Sequence, residues 1–166
     1  MKPFTYIIEV AGYCNLNCPS CPQGNSKNVN HHKGLMDVDL FQRIVGKIAC
    51  EPVKVQCIAL YNWGEALLHP QLPKLIRIVK EHKFRCNLSS NFIRVNDLEK
   101  VISASPDQIR ISVSGFTNQF YKRTHRGGDI DLVKSNMLAL REILDRLAAQ
   151  TRVEVCYHKY IDNTGI

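Results

Sequence analysis

Apolar residues recur along this chain in two alternating patterns, one typical of strands and the other of helices. Five short runs rich in Val, Ile, Tyr and Phe predict strands, and they cover residues 5–10, 53–61, 84–89, 108–114 and 152–158. Between these runs, apolar residues recur every three to four positions, as on one face of a helix. This alternation predicts parallel βαβ units, and therefore an α/β fold with helices outside the sheet.

Four segments carry the helical period, and each is expected to pack one face against the sheet. Asp37 is a plausible cap for the first, and the last runs from about residue 129 to 149. Their apolar positions are Leu40, Phe41, Ile44, Val45 and Ile48; Leu72, Leu75, Ile76 and Val79; Leu98, Val101 and Ile102; and Val133, Met137, Leu140, Leu144 and Leu147. Residues 22–36 show neither pattern and predict an extended loop.

Composition limits the number of domains and the compartment that we expect for this protein. A chain of 166 residues with 45% hydrophobic content can bury one core, so we expect a single domain. Seven cysteines are an odd number, and the first residues lack a secretory signal, which favours reduced thiols in the cytoplasm. No stretch approaches the ~18 apolar residues that cross a bilayer. We therefore expect a soluble cytoplasmic protein with no membrane partner.

The net charge of +7 raises the question of nucleic acid. Lys and Arg are dispersed along the chain, and no basic stripe with interleaved aromatic residues is present. The charges are therefore expected to coat amphipathic helices. Nucleic acid is not the expected partner, while an anionic substrate stays open.

Cys14, Cys18 and Cys21 form the most informative motif, directly after the first predicted strand. Three thiolates can hold one metal centre and leave a position open, where a substrate or cofactor binds. A fourth ligand from Cys50 or the His31-His32 pair would instead close a structural zinc site, although that spacing is unlike common zinc patterns. A ferredoxin-like carrier would need a fourth cysteine shortly afterwards, and none follows before Cys50.

Polar segments follow the other predicted strands, and in α/β folds the carboxyl ends of strands form the ligand site. Gly64 permits close backbone approach, and the Glu65 carboxylate can accept a bond from an ammonium group. Arg126 offers a guanidinium group that can pair with a carboxylate. Hydroxyls and amides suited to a ribose, or to the polar edges of a cluster ligand, come from Ser89, Ser90, Asn91, Ser112 and Ser114. A cofactor with an amine, a carboxylate and a ribose would satisfy the whole set.

The C-x3-C-x2-C spacing of the three cysteines resembles the signature of the radical S-adenosylmethionine (SAM) superfamily, and four later segments resemble its motifs in the same order. Residues 64–68 resemble its Gly-Gly-Glu-Pro motif, 90–91 its Thr-Asn-Gly segment, 112–115 its Ser-x-Asp-Gly segment, and 121–127 its Tyr…Arg-Gly element. The pattern is most similar to the branch that includes molybdenum-cofactor biosynthesis and SPASM-type enzymes. The chain departs from it at Ser20, Trp63, Ala66 and Ser114.

The resemblance implies that Cys14, Cys18 and Cys21 hold a [4Fe-4S] cluster whose fourth iron takes the amino and carboxylate groups of SAM. It implies reductive cleavage of SAM to a 5'-deoxyadenosyl radical, which abstracts hydrogen from a small-molecule or peptide substrate. A low-potential donor such as flavodoxin or ferredoxin would supply the electron. Glu65 would bind the SAM amino group, and Arg126 its carboxylate.

The resemblance also implies a partial (β/α)6 barrel, of which about five strands fit within residues 1–166. We therefore expect a radical SAM core domain that is incomplete at its C-terminus, as a fragment or a truncated form. One alternative is a non-catalytic iron-sulfur or SAM-binding module that acts with a partner. Another is a zinc-binding nucleic-acid protein.

Four further cysteines are expected to be structural rather than ligands. Cys57, Cys86 and Cys156 lie in strand-like runs, where a free cysteine behaves as a small buried hydrophobe, and Cys50 ends a helix. His158 lies at the end of the fifth predicted strand and could face a substrate, or be a packed or solvated histidine.

Overall fold

Five parallel strands form a single sheet in the computed structural model, which describes residues 3–25 and 34–163. The strands are β1 (Phe4–Ile7), β2 (Val55–Ala59), β3 (Cys86–Ser90), β4 (Gln108–Val113) and β5 (Arg152–Tyr157). They lie side by side in chain order, and every neighbouring pair is parallel. The predicted α/β architecture with five parallel strands is confirmed, although some strands end up to three residues earlier than predicted.

Helices fill the connections between the strands. They are α1 (Pro22–Asn25), α2 (Val38–Ala49), α3 (Leu72–Glu81), α4 (Leu98–Ser103), α5 (Asn118–Thr124) and α6 (Ile130–Arg146). The four predicted helices are α2, α3, α4 and α6. The Asp37 side chain caps α2 as predicted, because its carboxylate accepts the N–H of Leu40 at 2.9 Å.

The short helices α1 and α5 were not predicted from the sequence. The predicted loop over residues 22–36 is wrong at α1, where the Gln23 side chain donates to the Gly12 carbonyl at 3.1 Å. Helix α5 buries only Tyr121, so its sequence carries no apolar period. Both helices depend on tertiary contacts, which a periodicity argument does not see. His31 and His32 lie outside the described residues.

The core lies between the sheet and the four longer helices. Along β4 every second residue is buried, as the two-residue period of a strand requires. The predicted apolar faces of α3 and α4 are buried. The buried face of α2 differs from the predicted one at two residues, because Val38 is buried whereas Leu40 is exposed. On α6, Leu147 falls at the exposed C-cap.

The four cysteines outside the motif differ in burial. Cys57 and Cys86 are buried in β2 and β3, as predicted. Cys156 is only half-buried, since β5 forms an edge of the sheet, and Cys50 is exposed at the end of α2. Across the residues that the structure describes, no helix is both long enough and apolar enough to cross a membrane.

Candidate functional site

The segments that follow the strands meet at the carboxyl end of the sheet and enclose a cavity of about 340 Å³. Because the strands are parallel, this rim gathers residues that are far apart in the sequence. Eight of the ten predicted site residues line the cavity: Cys14, Cys18, Cys21, Gly64, Glu65, Ser90, Asn91 and Ser112. The other two, Ser114 and Arg126, do not belong to its lining.

The three thiols are half-buried on the loop between β1 and α1. A tight turn brings them together, with the Cys21 N–H donating to the Cys18 carbonyl at 3.1 Å. Helix α1 packs directly on this turn, since a Cβ at Gly24 would lie 2.4 Å from the Cys18 backbone nitrogen. Only glycine allows that approach, so the packing of α1 fixes the position of the thiol loop.

Burial raises the pKa of the Cys14 thiol, and it raises that of Cys18 to about 11. The neighbouring thiols add to the rise at Cys18, while a backbone N–H from Arg126 opposes it. The Cys14 sulfur receives the Leu16 N–H at 3.4 Å. The metal-free Cys14 and Cys18 thiols are thus protonated at neutral pH, and metal binding must release their protons.

The donor set fits an iron-sulfur cluster. Sulfur ligands on one wall of a cavity, with N–H groups directed at them, are the environment in which such clusters are held. A zinc ion instead gathers its ligands at about 2.0–2.3 Å from a single point. Over residues 3–25 and 34–163, no three His, Cys, Asp or Glu side chains are grouped to hold a single ion.

The segment after β2 approaches the thiol loop more closely than a side chain would allow. A Cβ on Gly64 would lie 1.7 Å from the carbonyl oxygen of Ala11, and the Glu65 N–H donates to the Tyr13 carbonyl at 2.9 Å. Glycine is therefore required here for a close approach between two backbones.

Glu9 holds the same segment from the end of β1. One of its carboxylate oxygens accepts the backbone N–H groups of Trp63 and Gly64, both at 2.8 Å. Sequence reasoning missed this residue, although a carboxylate inside an otherwise apolar run was a usable signal. Glu9 thus fixes the loop that carries Glu65.

Glu65 is buried, with 2% of its surface exposed. Its two carboxylate oxygens accept the backbone N–H groups of Leu67 at 3.0 Å and Asn91 at 2.8 Å. Burial raises the pKa of Glu65 to about 7, and these two donors oppose the rise. A desolvated carboxylate of this kind would be stabilised by a cation in the cavity, such as an ammonium group.

Ser114 and Arg126 lie next to the cavity rather than on its wall. The Ser114 hydroxyl is buried and hydrogen-bonded to Nδ1 of His125 at 2.6 Å and to the Thr124 hydroxyl. Arg126 is exposed, and its carbonyl accepts the Asn17 N–H at 2.9 Å. It therefore ties the loop after α5 to the thiol loop. The predicted contacts of these residues with SAM stay predictions.

Two imidazoles also line the cavity. The rings of His125 and His158 meet edge to face at 6.0 Å, and His125 stacks on Tyr121 at 4.5 Å. Burial, with a smaller contribution from His158, lowers the pKa of His125 to about 4, so this ring is neutral at pH 7. His158 thus occupies the cavity-facing position that its place after β5 suggested. His125 was missed because it lies inside a loop motif without a periodic signal. The remaining lining residues, which were not among the predicted site residues, are Leu16, Ser20, Tyr61, Asn62, Trp63, Ser89, Thr124 and Tyr160.

Comparison with known proteins gives one family. A sequence profile described as the radical SAM superfamily matches residues 8–153. A probable GTP 3',8-cyclase from Methanococcus maripaludis is 26% identical over 138 residues, which are 80% of this chain and 44% of the relative. The chain therefore spans less than half the length of the curated relatives that it matches.

Solved structures share the fold. BtrN, crystallised with AdoMet and 2-DOIA, superposes with a TM-score of 0.65 at 19% identity, over 95% of this chain and 58% of that one. SuiB from Streptococcus suis, bound to S-adenosylmethionine, gives a TM-score of 0.71 at 15% identity, over 95% of this chain and 35% of that one. These similarities confirm the predicted partial barrel of parallel strands.

Proposed function

This chain belongs to the radical SAM superfamily, and from that membership we propose that it is an enzyme that binds a [4Fe-4S] cluster through Cys14, Cys18 and Cys21. When bound, the reduced cluster supplies the electron that cleaves SAM to a 5'-deoxyadenosyl radical, which takes hydrogen from a substrate. The observation that carries the proposal is that the three thiols and the buried Glu65 carboxylate line one cavity at the carboxyl end of the sheet.

The chain's own residues would bind and orient SAM. The Glu65 carboxylate suits the SAM ammonium group, because burial makes it hold a cation strongly while Glu9 and Gly64 fix its position. The hydroxyl of Ser112 and the polar groups of Ser90 and Asn91 suit the ribose edge. A positively charged group also favours the ionised form of Glu65, so cofactor binding and deprotonation of this carboxyl group would be coupled.

Ser114 and Arg126 would serve SAM binding from outside the cavity wall. The Ser114 hydroxyl holds His125 in place through its Nδ1 atom, so it fixes an imidazole that lines the site. Arg126 presents an exposed guanidinium on the loop bonded to the thiol segment, and that group suits the SAM carboxylate.

The substrate is proposed only as a class. The proposed substrate is a small molecule or a peptide, and the Methanococcus relative is named for action on GTP. A low-potential flavodoxin or ferredoxin in a reducing cytoplasm would supply the electron.

Anaerobic reconstitution with iron and sulfide, followed by SAM and dithionite, tests the proposal directly. We expect chromatography to detect 5'-deoxyadenosine from the wild-type protein and none from Cys18→Ala. A cluster that forms without product would favour the alternative of a non-catalytic module acting with a partner. Failure of the wild type to bind iron and sulfide would contradict both.

A further inference from the structure

Asn91 contacts both halves of the proposed cofactor site. It directly follows β3 and is 8% exposed. Its backbone N–H donates to the Glu65 carboxylate at 2.8 Å, while its side-chain nitrogen Nδ2 donates to the Cys14 sulfur at 3.5 Å. The same nitrogen donates to Oδ1 of Asn15 at 3.0 Å. One amide group therefore reaches a proposed cluster ligand.

The orientation of this amide is fixed by its neighbours. Its oxygen Oδ1 accepts the Ile93 N–H at 3.0 Å, which leaves Nδ2 on the side of the sulfur. The intervening residue, Phe92, has a φ of 59° and is fully buried, so the turn is held in a left-handed conformation by packing. The side chain of Asn136 also donates to the Phe92 carbonyl at 2.9 Å. The donor is thus in place before any cofactor binds.

An N–H group directed at a ligand sulfur acts on the electrons of the cluster. Hydrogen bonds to the sulfurs are among the features that set the reduction potential of iron-sulfur clusters. Reduction adds negative charge, and a donor stabilises the more negative state more strongly. We propose that Asn91 is a positioning residue that donates its side-chain N–H to Cys14 and thereby raises the reduction potential of the cluster. This inference rests on the proposed function.

The chain contains a matched control on β3, the strand that Asn91 follows. Asn87, in β3, donates its Nδ2 to the Cys57 sulfur at 3.5 Å. That distance equals the one between Asn91 and Cys14. Cys57 is buried in β2 and does not line the cavity. A substitution of Asn87 therefore removes the same kind of N–H···S bond without touching a proposed ligand.

The test is a potentiometric titration of the reconstituted protein, followed by EPR. We expect Asn91→Ala and Asn91→Asp both to shift the midpoint potential to more negative values, and Asn87→Ala to leave it unchanged. The Asp variant keeps an oxygen for the Ile93 N–H but adds charge, whereas the Ala variant removes the donor without adding charge, so a shift in both variants points to the lost donor. An Asn91→Ala potential equal to that of the wild type would overturn the inference. Failure of the wild type to assemble a four-iron cluster would overturn the proposed function instead.

A second measurement decides the matter if Asn91→Ala does not assemble a cluster. The wild type is labelled with ¹⁵N in its asparagine side chains and reduced, and pulsed EPR records nitrogen coupling to the cluster. A coupling that disappears in Asn91→Asp and persists in Asn87→Ala supports the inference. A coupling unchanged in Asn91→Asp, or none in the wild type, contradicts it.

Discussion

The ionisable groups at the two ends of the sheet lie in opposite environments, paired at one end and desolvated at the other. At the amino end, Lys80 and Asp107 pair at 2.5 Å beside a cavity of about 390 Å³. The same Asp107 oxygen accepts the Cys86 N–H at 2.7 Å. At the carboxyl end, Glu65 is buried with a raised pKa, and the described residues that line its cavity include no Lys or Arg.

This difference separates a structural end of the molecule from a functional one. Charges at the amino end are compensated within the chain by the pair of Lys80 and Asp107. At the carboxyl end, the Glu65 carboxylate and the three thiols line one cavity, and no Lys or Arg side chain of the described residues lines it with them. Perturbed pKa values gathered in a cavity are typical of functional sites.

The largest effect is expected at the carboxyl end of the sheet, where substitution of one of the three cysteines should abolish cluster assembly. Replacing Cys14, Cys18 or Cys21 by Ala removes a proposed ligand, so each variant should retain almost no iron or sulfide after reconstitution. Cys156→Ala, on β5, should retain wild-type amounts, as measured by iron and sulfide assays per chain. Loss of iron in Cys156→Ala alone would show that the ligands are assigned wrongly.

The second largest effect is expected for Gly64→Ala, which should destabilise the carboxyl end of the sheet. The added Cβ would lie 1.7 Å from the Ala11 carbonyl oxygen, so the two backbones must separate. Overpacking of this kind lowers the free energy of unfolding by about 3 kcal/mol, and urea titration measures it. In Gly46→Ala, within α2, the Cβ meets no atom within 4 Å, so that variant should gain up to about 1 kcal/mol. Equal stability of the two variants would contradict the close approach at Gly64.

Glu65 should make the cluster-free protein less stable as pH rises. Its pKa is about 7 in the folded chain against an ordinary 4.5, so the folded state binds the proton more tightly. The stability that this proton provides is complete below pH 4.5 and is lost by pH 7, with a total on the order of 3 kcal/mol. His125 acts in the opposite sense, since its pKa falls from 6.5 to about 4.

The measurable quantity is therefore the difference between Glu65→Gln and the wild type. Urea titrations from pH 4.5 to pH 7 should show the wild type losing stability relative to Glu65→Gln across this range. Two curves that run parallel would show that Glu65 has an ordinary pKa in the folded chain.

The smallest effect is expected at the amino end. Asp107→Asn removes the charge that pairs with Lys80, on side chains that are 25% and 32% exposed, so the free energy of unfolding should fall by about 1 kcal/mol. Iron and sulfide content should stay at the wild-type level, because the substitution lies at the far end of the sheet. A loss of cluster in this variant would break the proposed division between the two ends.

Sequence reasoning predicted what depends on local pattern and spacing. The strands, the four longer helices and the Asp37 cap follow from periodicity and capping chemistry, and the cysteine motif follows from its spacing. Helix α5 and the role of Glu9 were missed, because both depend on contacts between segments distant in the chain. The position of Arg126 outside the cavity lining could not be predicted either, since a motif fixes the order of residues but not the orientation of a loop.

The measurement that tests the central claim most directly is the EPR spectrum of the reduced, reconstituted protein with and without SAM. The proposed cluster ligands and most of the proposed SAM-binding residues line one cavity. We therefore expect the spectrum of a four-iron cluster whose signal changes when SAM is added, and an unchanged signal in Glu65→Ala. A cluster signal that is indifferent to SAM in the wild type would contradict a shared site.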